Sequence, residues 1–114
     1  MNSPITTHVL DTARGAPAAG VGVVLEHEAA PGEWSRVGDG KTDADGRLRT
    51  LLAPGTLRAG AYRVRFDAAG YFQAQGVDTF WRHVTIEFVV RDAAAHYHVP
   101  LLVSPFGYST YRGS

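Results

Sequence analysis

Two histidines two positions apart, His96 and His98, stand shortly before a chain end made of Tyr111, Arg112, Gly113 and Ser114. Imidazole exchanges a proton near neutral pH, a guanidinium keeps its charge, and a hydroxyl can donate or accept a hydrogen bond. Such a set supplies a proton acceptor, a fixed cation and a hydrogen-bonding group, the parts that hydrolysis of a planar, polar substrate requires. A frayed terminus is seldom built from Tyr108, Tyr111 and Arg112, so the tail is expected to be ordered.

Other residues could join this chemistry. Asp43, Ala44, Asp45 and Gly46 read as a turn that delivers Arg47 onto a strand, and His8 lies in the first apolar run. His27 and His83 read as surface or hydrogen-bonded histidines. A zinc shared by His8, His96 and His98 is the competing arrangement, since a catalytic zinc needs only three protein ligands. Calcium is excluded at the acidic turn, because an EF-hand register would place Lys41 at the first ligand and Leu52 at the last. A serine nucleophile has no Gly-x-Ser-x-Gly elbow, and Ser104 precedes Pro105. The paired glycines lack the Lys-Ser/Thr ending of a phosphate loop. With no cysteine in the chain, thiolate catalysis and disulfides are also absent. Direct attack by water remains.

The elements that must hold these groups show a period of two. In Tyr62, Arg63, Val64, Arg65, Phe66 apolar residues alternate with arginines, and residues 83–90 alternate in the same way. Further strands are expected at 5–10, 21–28, 34–41, 47–51, 97–103 and 108–112, separated by Gly, Pro and Asp clusters. Residues 68–75 lack β-branched side chains and precede Gly76, which predicts one short helix. Eight short strands make an all-β sandwich the expected fold, as a single domain over residues 1–114.

On the strand at 97–103, Tyr97, Val99, Leu101 and Val103 form the core face, and His98, Pro100 and Leu102 share the other face with His96. On the strand at 5–10, Ile5, Thr7 and Val9 face inward while Thr6, His8 and Leu10 face out. Both outer faces set a histidine among apolar residues, which predicts cover by another copy of the chain. Eleven basic residues balance eleven acidic ones, and no basic stripe interleaves with aromatics, so nucleic acid is not an expected partner. No apolar run is long enough for a membrane span and no leader pattern opens the chain, which predicts a soluble, cytoplasmic protein.

His8-Val9-Leu10-Asp11, Thr42-Asp43-Ala44-Asp45-Gly46-Arg47, the run from Tyr97 through Val103-Ser104-Pro105, and the closing Tyr111-Arg112-Gly113-Ser114 together resemble the transthyretin-related family of 5-hydroxyisourate hydrolases. The resemblance spans essentially the whole chain. Its first and third motifs are shared with transthyretin, the hormone carrier, and the terminal Tyr-Arg-Gly-Ser separates enzyme from carrier. Val103, where Leu is common, is a conservative departure. The resemblance implies a transthyretin-like β-sandwich of two four-stranded sheets with one short helix after the fifth strand. It further implies a homotetramer whose central channel holds the active sites, a catalytic set of His8, Arg47, His98 and Ser114, and substrate contacts from Tyr111 and Arg112. The implied substrate is 5-hydroxyisourate, a small molecule, with no cofactor and no metal. His98 is the expected base, with His8 orienting water or substrate. A carrier without activity is the alternative, and it would have no use for Arg47 beside two histidines.

Overall fold

Alternating side chains become strands over most of the chain, of which the computed structural model describes residues 3–114. The order is β1 (Ile5–Asp11), β2 (Ala16–Pro17), β3 (Gly22–Ala30), β4 (Glu33–Lys41), β5 (Arg47–Leu48), β6 (Gly60–Phe66), α1 (Ala68–Gln73), β7 (Val84–Val90), β8 (Tyr97–Ser104) and β9 (Gly107–Thr110). One sheet runs β4-β3-β6-β7 and is antiparallel throughout. In the other, β1 lies parallel to β8, β8 is antiparallel to β9, and both β2 and β5 pair with β1. The reading of an N-terminus without a leader rests partly on Met1 and Asn2, which lie outside the described residues.

Between the sheets lies one core. Ile5, Val9, Tyr97, Leu101 and Val103 belong to the same buried cluster as Val23, Leu25, Tyr62, Val64 and Phe66 of the opposite sheet, so the inward faces read from alternation are the observed ones. Each fully buried side chain of this kind stabilises the fold by roughly 1.5–3 kcal/mol relative to exposure. A polar tie joins the helix to β1: buried Asp11 accepts from the Tyr71 hydroxyl at 2.7 Å and from the backbone N–H of Ala13 and Arg14. Burial and that carboxylate both hold the Tyr71 phenol above its ordinary range. No helix of the described residues is long and apolar enough to cross a membrane.

The structure differs from expectation where short segments change partner. The sheet holding β1 has five strands rather than four, because the two-residue β2 pairs with Leu10 and Asp11 further along β1, ahead of β3. That extra piece makes the helix follow the sixth strand. β5 ends at Leu48 instead of residue 51, since the chain then turns to bury Leu51 and Leu52 in the core. Ser3 fixes this departure, its backbone N–H donating to the Arg49 carbonyl and its hydroxyl accepting from the Leu52 N–H at 2.9 Å. The helix is capped by Asp67, whose carboxylate accepts from the Gly70 N–H, and it closes at Gln73 because Gln75 and Gly76 bond three residues back. β9 stops at Thr110 rather than residue 112. Opposite this point Pro100 has no N–H to give, and the ladder resumes only as a single bridge between His98 and Gly113.

Candidate active site

Register sets the site. Thr6 pairs with His98 and His8 with Pro100 across the parallel β1 and β8, while on the other edge of β1 His8 pairs with Arg47. Paired residues share a face of a sheet, so Thr6, His8, Arg47 and His98 all project outward, away from the core. There Thr6, Thr7, Arg47, Arg49, His96, His98 and Ser114 line a polar cavity of about 200 Å³.

The acidic turn is built to present Arg47. One carboxylate oxygen of Asp43 accepts from the backbone N–H of Asp45 and of Arg47, both at 2.9 Å, and the Gly46 N–H bonds the Asp43 carbonyl. Those N–H donors, the Arg47 backbone foremost, hold the Asp43 carboxyl below its ordinary range. The turn also orients a histidine, because the Asp45 carbonyl accepts from Nε2 of His8 at 2.9 Å. His8 is thereby left with Nδ1 as its free nitrogen.

Gly46 makes the turn possible. Its φ is +76°, and a Cβ there would sit 2.4 Å from the Val9 carbonyl oxygen. Gly46→Ala is therefore expected to lower the free energy of unfolding by at least about 2 kcal/mol in urea titration, through left-handed strain plus the clash. An unchanged midpoint would show that the turn relaxes without cost.

His98 is half-buried, and its Nδ1 lies 2.8 Å from the Thr6 hydroxyl. The same hydroxyl lies 3.1 Å from Nε2 of His96, whose ring stacks near that of His98 with centroids 6.5 Å apart. Burial, then the charges of Arg47, His96 and His8, hold the His98 pKa below its ordinary 6.5, against a smaller opposing effect of the Thr6 backbone. At neutral pH this imidazole is neutral and able to accept a proton.

The tail closes the other side. The Gly113 N–H donates to the His98 carbonyl at 2.9 Å, the Arg112 guanidinium lies over the Tyr97 ring at 4.5 Å, and one of its nitrogens donates to the His96 carbonyl at 3.3 Å. Gly113 rests against the His98 ring so closely that a Cβ would come within 2.5 Å of Cδ2.

Of the residues singled out in the sequence, Arg47, His98 and Ser114 meet in the polar cavity. His8 lies beside Arg47 on the same face but outside the lining. Tyr111 and Arg112 instead line an adjacent, largely apolar cavity of about 260 Å³ with Ile86 and Phe88, and His98 forms the wall between the two. The zinc arrangement does not form, since no trio of histidine, cysteine or carboxylate groups among the described residues converges on one point. Thr6, Arg49 and Gly113 were not legible as site residues. Thr6 and Gly113 become so only through the pairing of segments more than ten to ninety positions apart, which no local pattern encodes.

This sequence matches the HIUase/Transthyretin family over residues 5–113. The chain belongs to that family. Within it, the chain is 48% identical to a 5-hydroxyisourate hydrolase of Caulobacter vibrioides, covering 98% of this chain and 99% of the relative. Its fold is similar to that of Klebsiella pneumoniae 5-hydroxyisourate hydrolase at 35% identity and a TM-score of 0.84, over 96% of this chain and 92% of that one. It is also similar to sea bream transthyretin, solved with thyroxine, at 33% identity and a TM-score of 0.92, over 97% and 95% of the two chains. Because 5-hydroxyisourate hydrolase and transthyretin share one fold, the fold alone does not choose between them.

Proposed function

We propose that the chain hydrolyses 5-hydroxyisourate to 2-oxo-4-hydroxy-4-carboxy-5-ureidoimidazoline, a step of urate degradation. The observation that carries this reading is a polar cavity in which a neutral, partly buried His98 and the guanidinium of Arg47 face the same small volume. A carrier has no proton to remove and no oxyanion to stabilise, whereas a hydrolytic transition state has both and gains from both groups.

In this mechanism water attacks the carbonyl carbon of the six-membered ring as its proton passes to Nε2 of His98. Negative charge gathers on the carbonyl oxygen and faces Arg47, which cannot lose its own charge. Collapse of the tetrahedral adduct breaks the ring C–N bond, and the proton held by His98 moves to the departing nitrogen, leaving a carboxylate. Ser114 completes the pocket as a hydrogen-bonding group. His8, held by the Asp45 carbonyl, fixes the outer wall beside Arg47, and Tyr111 with Arg112 bounds the substrate on the apolar side.

The reading includes a homotetramer in which copies meet over this face. Supporting it, Leu10 and Leu102 pair on the outer face that carries the site, half-buried in the single chain, and Tyr111 beside the site is 58% exposed. Apolar side chains gathered on an outer face are more often an interface than a solvent face. A site inside such an assembly would also exclude bulk water from the reacting ring.

The test is the pH dependence of the initial rate of absorbance loss from freshly generated 5-hydroxyisourate, corrected for spontaneous decay. Protonated His98 cannot act as base, so kcat/KM falls as pH drops through the His98 pKa. Because that pKa is lowered, the acid limb is expected below pH 6.5 and activity is flat from there toward neutrality. A limb centred at or above 6.5, or none at all, removes His98 from the base role.

A further inference from the structure

Threonine hydroxyls in this protein are mostly spent on the main chain. Thr7 donates to the Val99 carbonyl at 2.6 Å, Thr42 to the Ala18 carbonyl at 2.7 Å, and Thr110 to the Pro100 carbonyl at 2.7 Å. Thr6, only 5% exposed, is different: its hydroxyl contacts two imidazole nitrogens, Nδ1 of His98 and Nε2 of His96. A hydroxyl has one proton, so it can donate to one ring and must accept from the other if both contacts are hydrogen bonds. The direction chosen decides which nitrogen of each ring carries hydrogen.

Resting on the assignment of His98 as base, we propose that Thr6 is a positioning residue that accepts from Nδ1–H of His98, donates to Nε2 of His96, and so leaves the lone pair of His98 at Nε2. The free nitrogen of His98, taken with its role as base, selects this direction over its reverse. His98 Nε2 has no hydrogen-bond partner among the described residues and is not sealed from solvent, as an acceptor for water in the cavity must be. In the reverse arrangement Nε2 of His98 would carry hydrogen, and the ring could not take a proton from water there. His96 serves as the terminal acceptor, its exposed ring free to hold its own hydrogen on Nδ1.

The experiment labels the full chain with ¹⁵N-histidine and reads the ring nitrogens by long-range proton–nitrogen correlation above pH 7, with His98 assigned by its absence in His98→Asn. The expected spectrum shows His98 protonated at Nδ1 and bare at Nε2. Thr6→Val, which keeps shape and removes the hydroxyl, is expected to lose that preference and to lower kcat roughly 10- to 100-fold, the cost of restoring the Nδ1–H tautomer once nothing meets that donor. Its KM and melting temperature stay near those of the parent, and Thr6→Ser restores both spectrum and turnover. A parent His98 protonated at Nε2 overturns the proposal, as does Thr6→Val with unaltered tautomer or unaltered kcat. The assignment of the base fails separately, through full turnover in His98→Asn, and the ring spectrum decides the tautomer in either case.

Discussion

His98→Asn is expected to lower turnover of 5-hydroxyisourate by roughly 10²- to 10⁴-fold, the range set by removing a positioned general base. Asparagine keeps much of the volume and can still meet the Thr6 hydroxyl, so the sheet and the tail bridge at residue 98, which uses only backbone atoms, remain. Arg47 and Ser114 stay in place as well. Some acceleration should persist from them, because oxyanion stabilisation and binding do not depend on the base. Circular dichroism and melting temperature check that the fold is unchanged. Turnover near the parent value would eliminate His98 as proton acceptor and move the search to His8, whose Nδ1 is left free by the bond of its Nε2 to the Asp45 carbonyl.

Deleting Tyr111 to Ser114 is the second large effect. The tail contributes no strand of its own: β9 ends at Thr110, and beyond it the attachments are the Gly113 bridge, the Arg112 stacking on Tyr97 and one bond to the His96 carbonyl. Most of the core lies elsewhere, so the melting temperature is expected to fall by no more than about 10 °C. Activity should fall by more than about 10²-fold, because His98 loses the backbone that rests against its ring and the cavity loses Ser114. Gly113→Ala is the finer probe of the same contact, since its Cβ displaces the His98 ring while the rest of the tail stays. A truncated chain with full activity would show that the last four residues are not part of the site.

Much of this architecture was legible because period-two alternation depends only on neighbours. The inward faces of β1 and β8 follow directly from Ile5, Thr7 and Val9 and from Tyr97, Val99, Leu101 and Val103. Arg47 was legible for a similar reason: the Asp43 to Gly46 turn is a local device, complete in its own hydrogen bonds. What escaped depends on distant pairing or on a missing donor. Thr6 is one more outward polar residue until β8 is laid parallel to β1 and places His98 beside it. The end of β9 follows from Pro100 on the partner strand rather than from anything in residues 107–112. β2 is two residues of Ala and Pro with no strand propensity, held by the register of β1. The side chains of Tyr111 and Arg112 could be tied to the tail by type, yet only the fold shows that they border the apolar cavity and not the polar one.

Catalysed ring opening is the claim on which the rest depends. The most direct measurement mixes the unaltered chain, near neutral pH, with 5-hydroxyisourate made immediately beforehand and follows its ultraviolet absorbance against an identical sample without protein. The expected record is a loss proportional to protein concentration, saturable in substrate and many times faster than spontaneous decay, with the ring-opened carboxylate as product. A trace that overlays the spontaneous decay, with or without evidence of binding, would contradict the hydrolase and leave the carrier in its place.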